Sequence, residues 1–115
     1  KYKIIRGHSM MGVFFLYKKQ GGVMTVVTIG TSSISLDGHA GNKIVCAAIS
    51  AISEMVGKYL ESKRLASVKE GDGEYVIWNV AEQVRGSPLI MALIRELHDI
   101  QEEYPEHIKI VYEDL

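Results

Sequence analysis

At Lys43 the spacing of apolar residues changes, and that change limits what the chain can become. Before it, Val23–Ile29 is a β-branched run and Ser33–Asp37 alternates polar with apolar at period two, the pattern of half-buried strands. After it, Val45, Ala48, Ile49, Ile52, Met55, Val56 and Tyr59 recur at the three-four spacing of one helical face, ending near Ser62. A second stripe of that kind, Ile90, Leu93, Ile94, Leu97 and Ile100, follows Ser87-Pro88, a cap residue with proline at the first helical position. Between the stripes, Leu65–Lys69 and Tyr75–Val80 read as strands joined by the Gly71-Asp72-Gly73 turn. Pro105 closes the second helix, and His107–Tyr112 alternates as a last strand. Two helices with one apolar face each must bury those faces on something. The economical solution is a two-layer α+β sandwich, a small mixed or antiparallel sheet with two helices packed on it.

At 115 residues the chain has room for one such core. Residues 11–115 are expected to form a single domain, and 1–10, containing Gly7-His8-Ser9-Met10, to be a tag or vector-derived extension. Val13–Tyr17 is a short strand or an ordered extension ahead of the domain. Thirteen basic residues against fourteen acidic ones give a net charge of −1, which argues against a nucleic-acid interface. No apolar run approaches a membrane span. A single cysteine excludes an internal disulfide framework. The expected setting is cytoplasmic, with no cofactor and no metal.

Cys46 combines a reactive side chain with a reason to react. It falls in the first turn of the first helix, for which Asn42 is a suitable N-cap. Unpaired backbone N–H groups and the helix dipole favour anionic sulfur there, and the same N–H groups can receive an oxyanion. Lys43 adds a positive charge nearby. His39 stands seven residues upstream in Gly38-His39-Ala40-Gly41, where small neighbours leave its ring accessible. A lone cysteine in Val-Cys-Ala-Ala is, however, commonly a small buried hydrophobe, and the residues alone leave both readings open. His98 and His107 read as surface residues. The glycine-rich loop lacks the Gly-Lys-Ser/Thr ending of a phosphate loop.

Gly38-His39-Ala40 followed by Lys43-Ile44-Val45-Cys46-Ala47-Ala48-Ile49-Ser50 resembles the signature of the ribosomal-processing cysteine proteases (Prp), and the likeness runs from about Val23 to the last strand. Members of that family remove an aromatic-rich amino-terminal extension from the twenty-seventh large-subunit ribosomal protein of bacteria. The resemblance implies Cys46 as nucleophile and His39 as general base and acid. It also implies Ser50, one helical turn on, as a hydrogen-bonding support, within a frame supplied by Gly38 and Ala40. It further implies a homodimer and, as partner, the ribosomal protein precursor. The sequence departs from the family in two places. Lys43 stands where the family has aspartate, and Asp37 is a poor substitute because strand alternation turns it away. The family loop between histidine and cysteine is also longer. The shortfall falls between Ala40 and Gly41, where either the loop is short or residues are absent from the sequence. The second is preferred, because substrate-gating loops are commonly mobile. Both departures favour the alternative function, a non-catalytic, ribosome-associated binding module of the same fold.

Overall fold

A computed structural model describes residues 24–113. The expected extension at 1–10 and the Val13–Tyr17 strand lie outside the described residues.

Five strands and two long helices follow in the order β1 (Thr25–Ile29), β2 (Ile34–Asp37), α1 (Lys43–Ser62), β3 (Ser67–Gly71), β4 (Glu74–Trp78), α2 (Pro88–Glu103) and β5 (Ile108–Tyr112). A single 3-10 turn, Glu82–Val84, precedes α2. The strands form one sheet in the order β3-β4-β2-β1-β5. It is mixed: β5 runs parallel to β1, and the other pairings are antiparallel. This is the expected α+β sandwich, two helices on one sheet.

Both helix starts follow their local chemistry. The Asn42 side chain accepts from the N–H groups of Ile44 and Val45, and the Ser87 hydroxyl accepts from Ile90 ahead of a first-turn proline. Register then lines up the core. Ile110, Val27, Leu36 and Tyr75 are paired across four strands, and Tyr112, Ile29, Ile34 and Ile77 form the next row. Most of these residues are buried together with Val45, Ile49, Val56 and Leu60 of α1 and Ile90, Leu93 and Leu97 of α2.

The α2 stripe is the one read from the sequence. The α1 stripe is so only in part: Val45, Ile49 and Val56 are buried as expected. Met55 and Tyr59, placed in the core by spacing, are 63% and 51% exposed, whereas Ser53, Gly57 and Leu60 are buried. The helix is rotated toward its polar and small residues, because at Gly57 it approaches the sheet very closely. A Cβ added there would collide with the Tyr75 hydroxyl oxygen. Among the described residues no helix is long and apolar enough to cross a membrane.

Candidate active site

The site is built where β2 hands the chain to α1. Gly38 and Gly41 bracket the connection with φ of 94° and 76°, a region that side chains with a Cβ rarely adopt. Between them the backbone is tied on every side. The Gly38 N–H donates to the Gly73 carbonyl at 2.7 Å, and the Thr25 hydroxyl donates to the Gly38 carbonyl at 2.9 Å. The Ala40 N–H donates to Cys46 Sγ at 3.3 Å. The Ala40 carbonyl accepts from His107 Nδ1 at 2.7 Å, which requires the proton on that nitrogen. Ala40 itself is fully buried. The peptide planes on either side of it are therefore pinned, one to α1 and one to the residue that leads into β5. His107 is half-buried and structural here, not the bare surface residue its neighbours suggested. His98 likewise has a partner, the Tyr112 hydroxyl at 2.6 Å.

Cys46 is half-buried at the fourth position of α1. Its own N–H already bonds the Asn42 carbonyl at 2.9 Å, and the Asn42 side chain takes the N–H groups of Ile44 and Val45. Those first-turn donors, expected to receive an oxyanion, are thus engaged by the cap. The donor that reaches the sulfur is the Ala40 N–H.

His39 leans on the β3–β4 turn. A Cβ added at Gly73 would meet its Nε2 at 3.0 Å, and Asp72 Oδ1 lies 3.6 Å from the same nitrogen. That distance suits an attraction to protonated imidazole but is too long for a hydrogen bond. The His39 side chain is 64% exposed. A carboxylate beside the imidazole is thus supplied by Asp72, while position 43 holds an exposed lysine outside the groove. That carboxylate comes from a turn more than thirty residues downstream, a proximity that no local spacing signals.

His39, Cys46 and Ser50 share the walls of one solvent-open groove, together with Gly38. Its apolar lining includes Leu36 and Ile49, and its polar lining includes Ser53, Glu54, Glu70, Glu74 and Tyr75. The three glutamates were not singled out from the sequence, where they look like ordinary solvated charge. Burial, then the nearby Glu54, Glu70 and Glu61 carboxylates, push the Tyr75 hydroxyl up to about 12. Among the described residues no group of three or more His, Cys, Asp or Glu is placed to hold a metal ion.

Known proteins of the same shape were found. The chain resembles a crystal structure of the essential ribosomal processing protease Prp from S. aureus with a covalently linked product peptide. The match has 25% identity and a TM-score of 0.67, over 78% of this chain and all of that one. It resembles SMU.848 from Streptococcus mutans at 26% identity and a TM-score of 0.63, over 82% of this chain and 97% of that one. The S. aureus protease with a substrate peptide matches in fold, at 21% identity and a TM-score of 0.66. No curated protein matches the chain. The family model of cysteine protease Prp matches residues 24–109, from the start of the sheet through the β2–α1 connection and both helices into β5, and the chain belongs to that family.

Proposed function

We propose that the chain is the endopeptidase that removes the amino-terminal extension of the twenty-seventh large-subunit ribosomal protein in a bacterial cytoplasm. The observation that carries this is the groove, which lines one opening with His39, Cys46 and Ser50. His39 takes the thiol proton, and the Cys46 thiolate attacks the scissile carbonyl carbon. The C–N bond then breaks as His39 returns the proton to the leaving amine. Water, deprotonated by His39, attacks the thioester, and the sulfur leaves as thiolate to be reprotonated. The Ala40 N–H at 3.3 Å stabilises the anionic sulfur between steps. His107 acts one bond further out, as a positioning residue that keeps that N–H aimed. Asp72 steadies the imidazolium when it forms, and Ser50 supports the site from the next turn of α1. The enzyme works as a two-fold homodimer with active sites away from its centre, using sheet edges at β3 or β5 for self-association.

Mass spectrometry of an aromatic-rich extension peptide incubated with the protein under reducing conditions tests this. The expected result is one internal cut, absent with Cys46→Ser. An uncut peptide with the unsubstituted protein overturns the reading and leaves a binding module in its place.

A further inference from the structure

Attack of a thiolate on a carbonyl leaves negative charge on the substrate oxygen, and a site that lowers this barrier needs a donor aimed there. The backbone donors described around the sulfur are already spent. The N–H groups of Ile44 and Val45 go to the Asn42 side chain, and that of Cys46 goes to the Asn42 carbonyl. The Ala40 N–H is held on the sulfur at 3.3 Å, and Ala40 has no surface for a substrate to touch.

Among the described residues, the hydroxyls on the groove lining belong to Thr25, Ser50, Ser53 and Tyr75. Thr25 donates to the Gly38 carbonyl at 2.9 Å. The Ser53 and Tyr75 hydroxyls are closed to solvent. Ser50 differs from all three. It is exposed, and among the described residues its hydroxyl bonds no protein atom, the sulfur included. It follows Cys46 by four positions on α1, where side chains stand over one another with about 5–6 Å between Cβ atoms. That gap has room for the oxygen of a carbon bonded to Sγ. The donor left open beside the nucleophile is therefore a side chain on the next helical turn.

We propose that the Ser50 hydroxyl is the oxyanion donor of the reaction, a catalytic residue that touches the substrate. As the C–S bond forms, the carbonyl π pair moves onto oxygen, and the Ser50 O–H donates a hydrogen bond to it without giving up its proton. When that pair returns, the C–N bond breaks and the amine leaves with the proton held by His39. The same hydroxyl meets the second oxyanion, formed when water attacks the thioester. The inference rests on the protease reading and assigns within it the group that meets the developing charge.

The test compares Ser50→Ala with the unsubstituted protein, using the aromatic-rich extension peptide and an aldehyde made from its amino-terminal cleavage fragment. The aldehyde adds to sulfur and leaves an oxygen at the oxyanion position, whereas iodoacetamide alkylates sulfur without one. Ser50→Ala is expected to lower kcat about 100-fold with KM little changed, and to weaken aldehyde binding by a similar factor. Its rate of alkylation across pH is expected to match that of the unsubstituted protein. Slower or pH-shifted alkylation of Ser50→Ala would make the hydroxyl a support for the thiolate and overturn the proposal. An aldehyde that binds both proteins equally tightly would overturn it too. An extension peptide left uncut by the unsubstituted protein sinks the protease reading and the donor with it. Normal cutting by Ser50→Ala sinks the donor alone.

Discussion

Each helix covers one tyrosine of the sheet, and the two tyrosines are treated differently. Tyr112, at the end of β5, lies under α2 with its hydroxyl 2.6 Å from His98 Nε2 and its ring stacked on that imidazole at 5.9 Å. Tyr75, in β4, lies under α1 against Gly57, and its hydroxyl has no partner. Burial raises the titration of both phenols. On the α2 side the tyrosine hydroxyl is paired and the apolar stripe lies where spacing puts it, and Gln101 Oε1 is the buried polar atom left without a partner there. The α1 side carries Cys46 and the groove, and there the polar atoms are left open and the stripe is displaced. On the α1 side two unpaired hydroxyls and the displaced stripe thus occur on the helix that carries Cys46.

The widest separation between the two sides is expected at high pH. An unfolded tyrosine titrates near 10 and Tyr75 at about 12, so below pH 10 the phenol is neutral in both states and its full contribution is present. As pH rises from 10 through 12 the unfolded chain ionises first, and stability falls, by about 3 kcal/mol for a shift of this size. Urea unfolding of Tyr75→Phe across that range should lose this component of the decline. A slope unchanged by the substitution would show that Tyr75 is not held in the stated environment.

Gly57→Ala sharpens the contrast next. Alanine is the better helix former by about 1 kcal/mol, yet its Cβ would collide with the Tyr75 oxygen and meet two ring carbons at 3.0 Å. We expect a net loss of about 1.5 kcal/mol, partly recovered in Gly57→Ala/Tyr75→Phe, measured by thermal unfolding as a double-mutant cycle. Additive effects would mean that the close approach is relieved elsewhere.

The smallest effects come from the hydroxyls at neutral pH. Tyr112→Phe removes a hydrogen bond and leaves His98 without it, for a loss of about 1 kcal/mol. Tyr75→Phe removes an unpaired hydroxyl and should be neutral or slightly stabilising. Equal losses in the two variants would erase the distinction between the two sides.

Much of the frame was legible from residues close in sequence. Period two, period three-four, the Asn42 and Ser87 caps and the Gly71-Asp72-Gly73 turn all place elements within a few residues of their observed ends. Each depends on hydrogen bonds or side-chain spacing inside one turn or one hairpin. The Gly-His-Ala and Ile-Val-Cys-Ala-Ala stretch carried the family in the same way, and its histidine and cysteine do line one groove. The rotation of α1 was illegible, because Met55, Tyr59 and Leu60 fit a helical stripe comparably well. The close approach of Gly57 to a tyrosine on another element decided between them.

The rest of the site is non-local for the same reason. His107 reaches the Ala40 carbonyl across 67 positions, Asp72 reaches His39 from another hairpin, and Glu54, Glu70 and Glu74 converge from three elements. Local chemistry determined which segments are helix and strand and where they start. Only the packing of those segments decided what surrounds the sulfur, because hydrogen bonds and charges act over a few ångströms of space, whatever the distance along the chain.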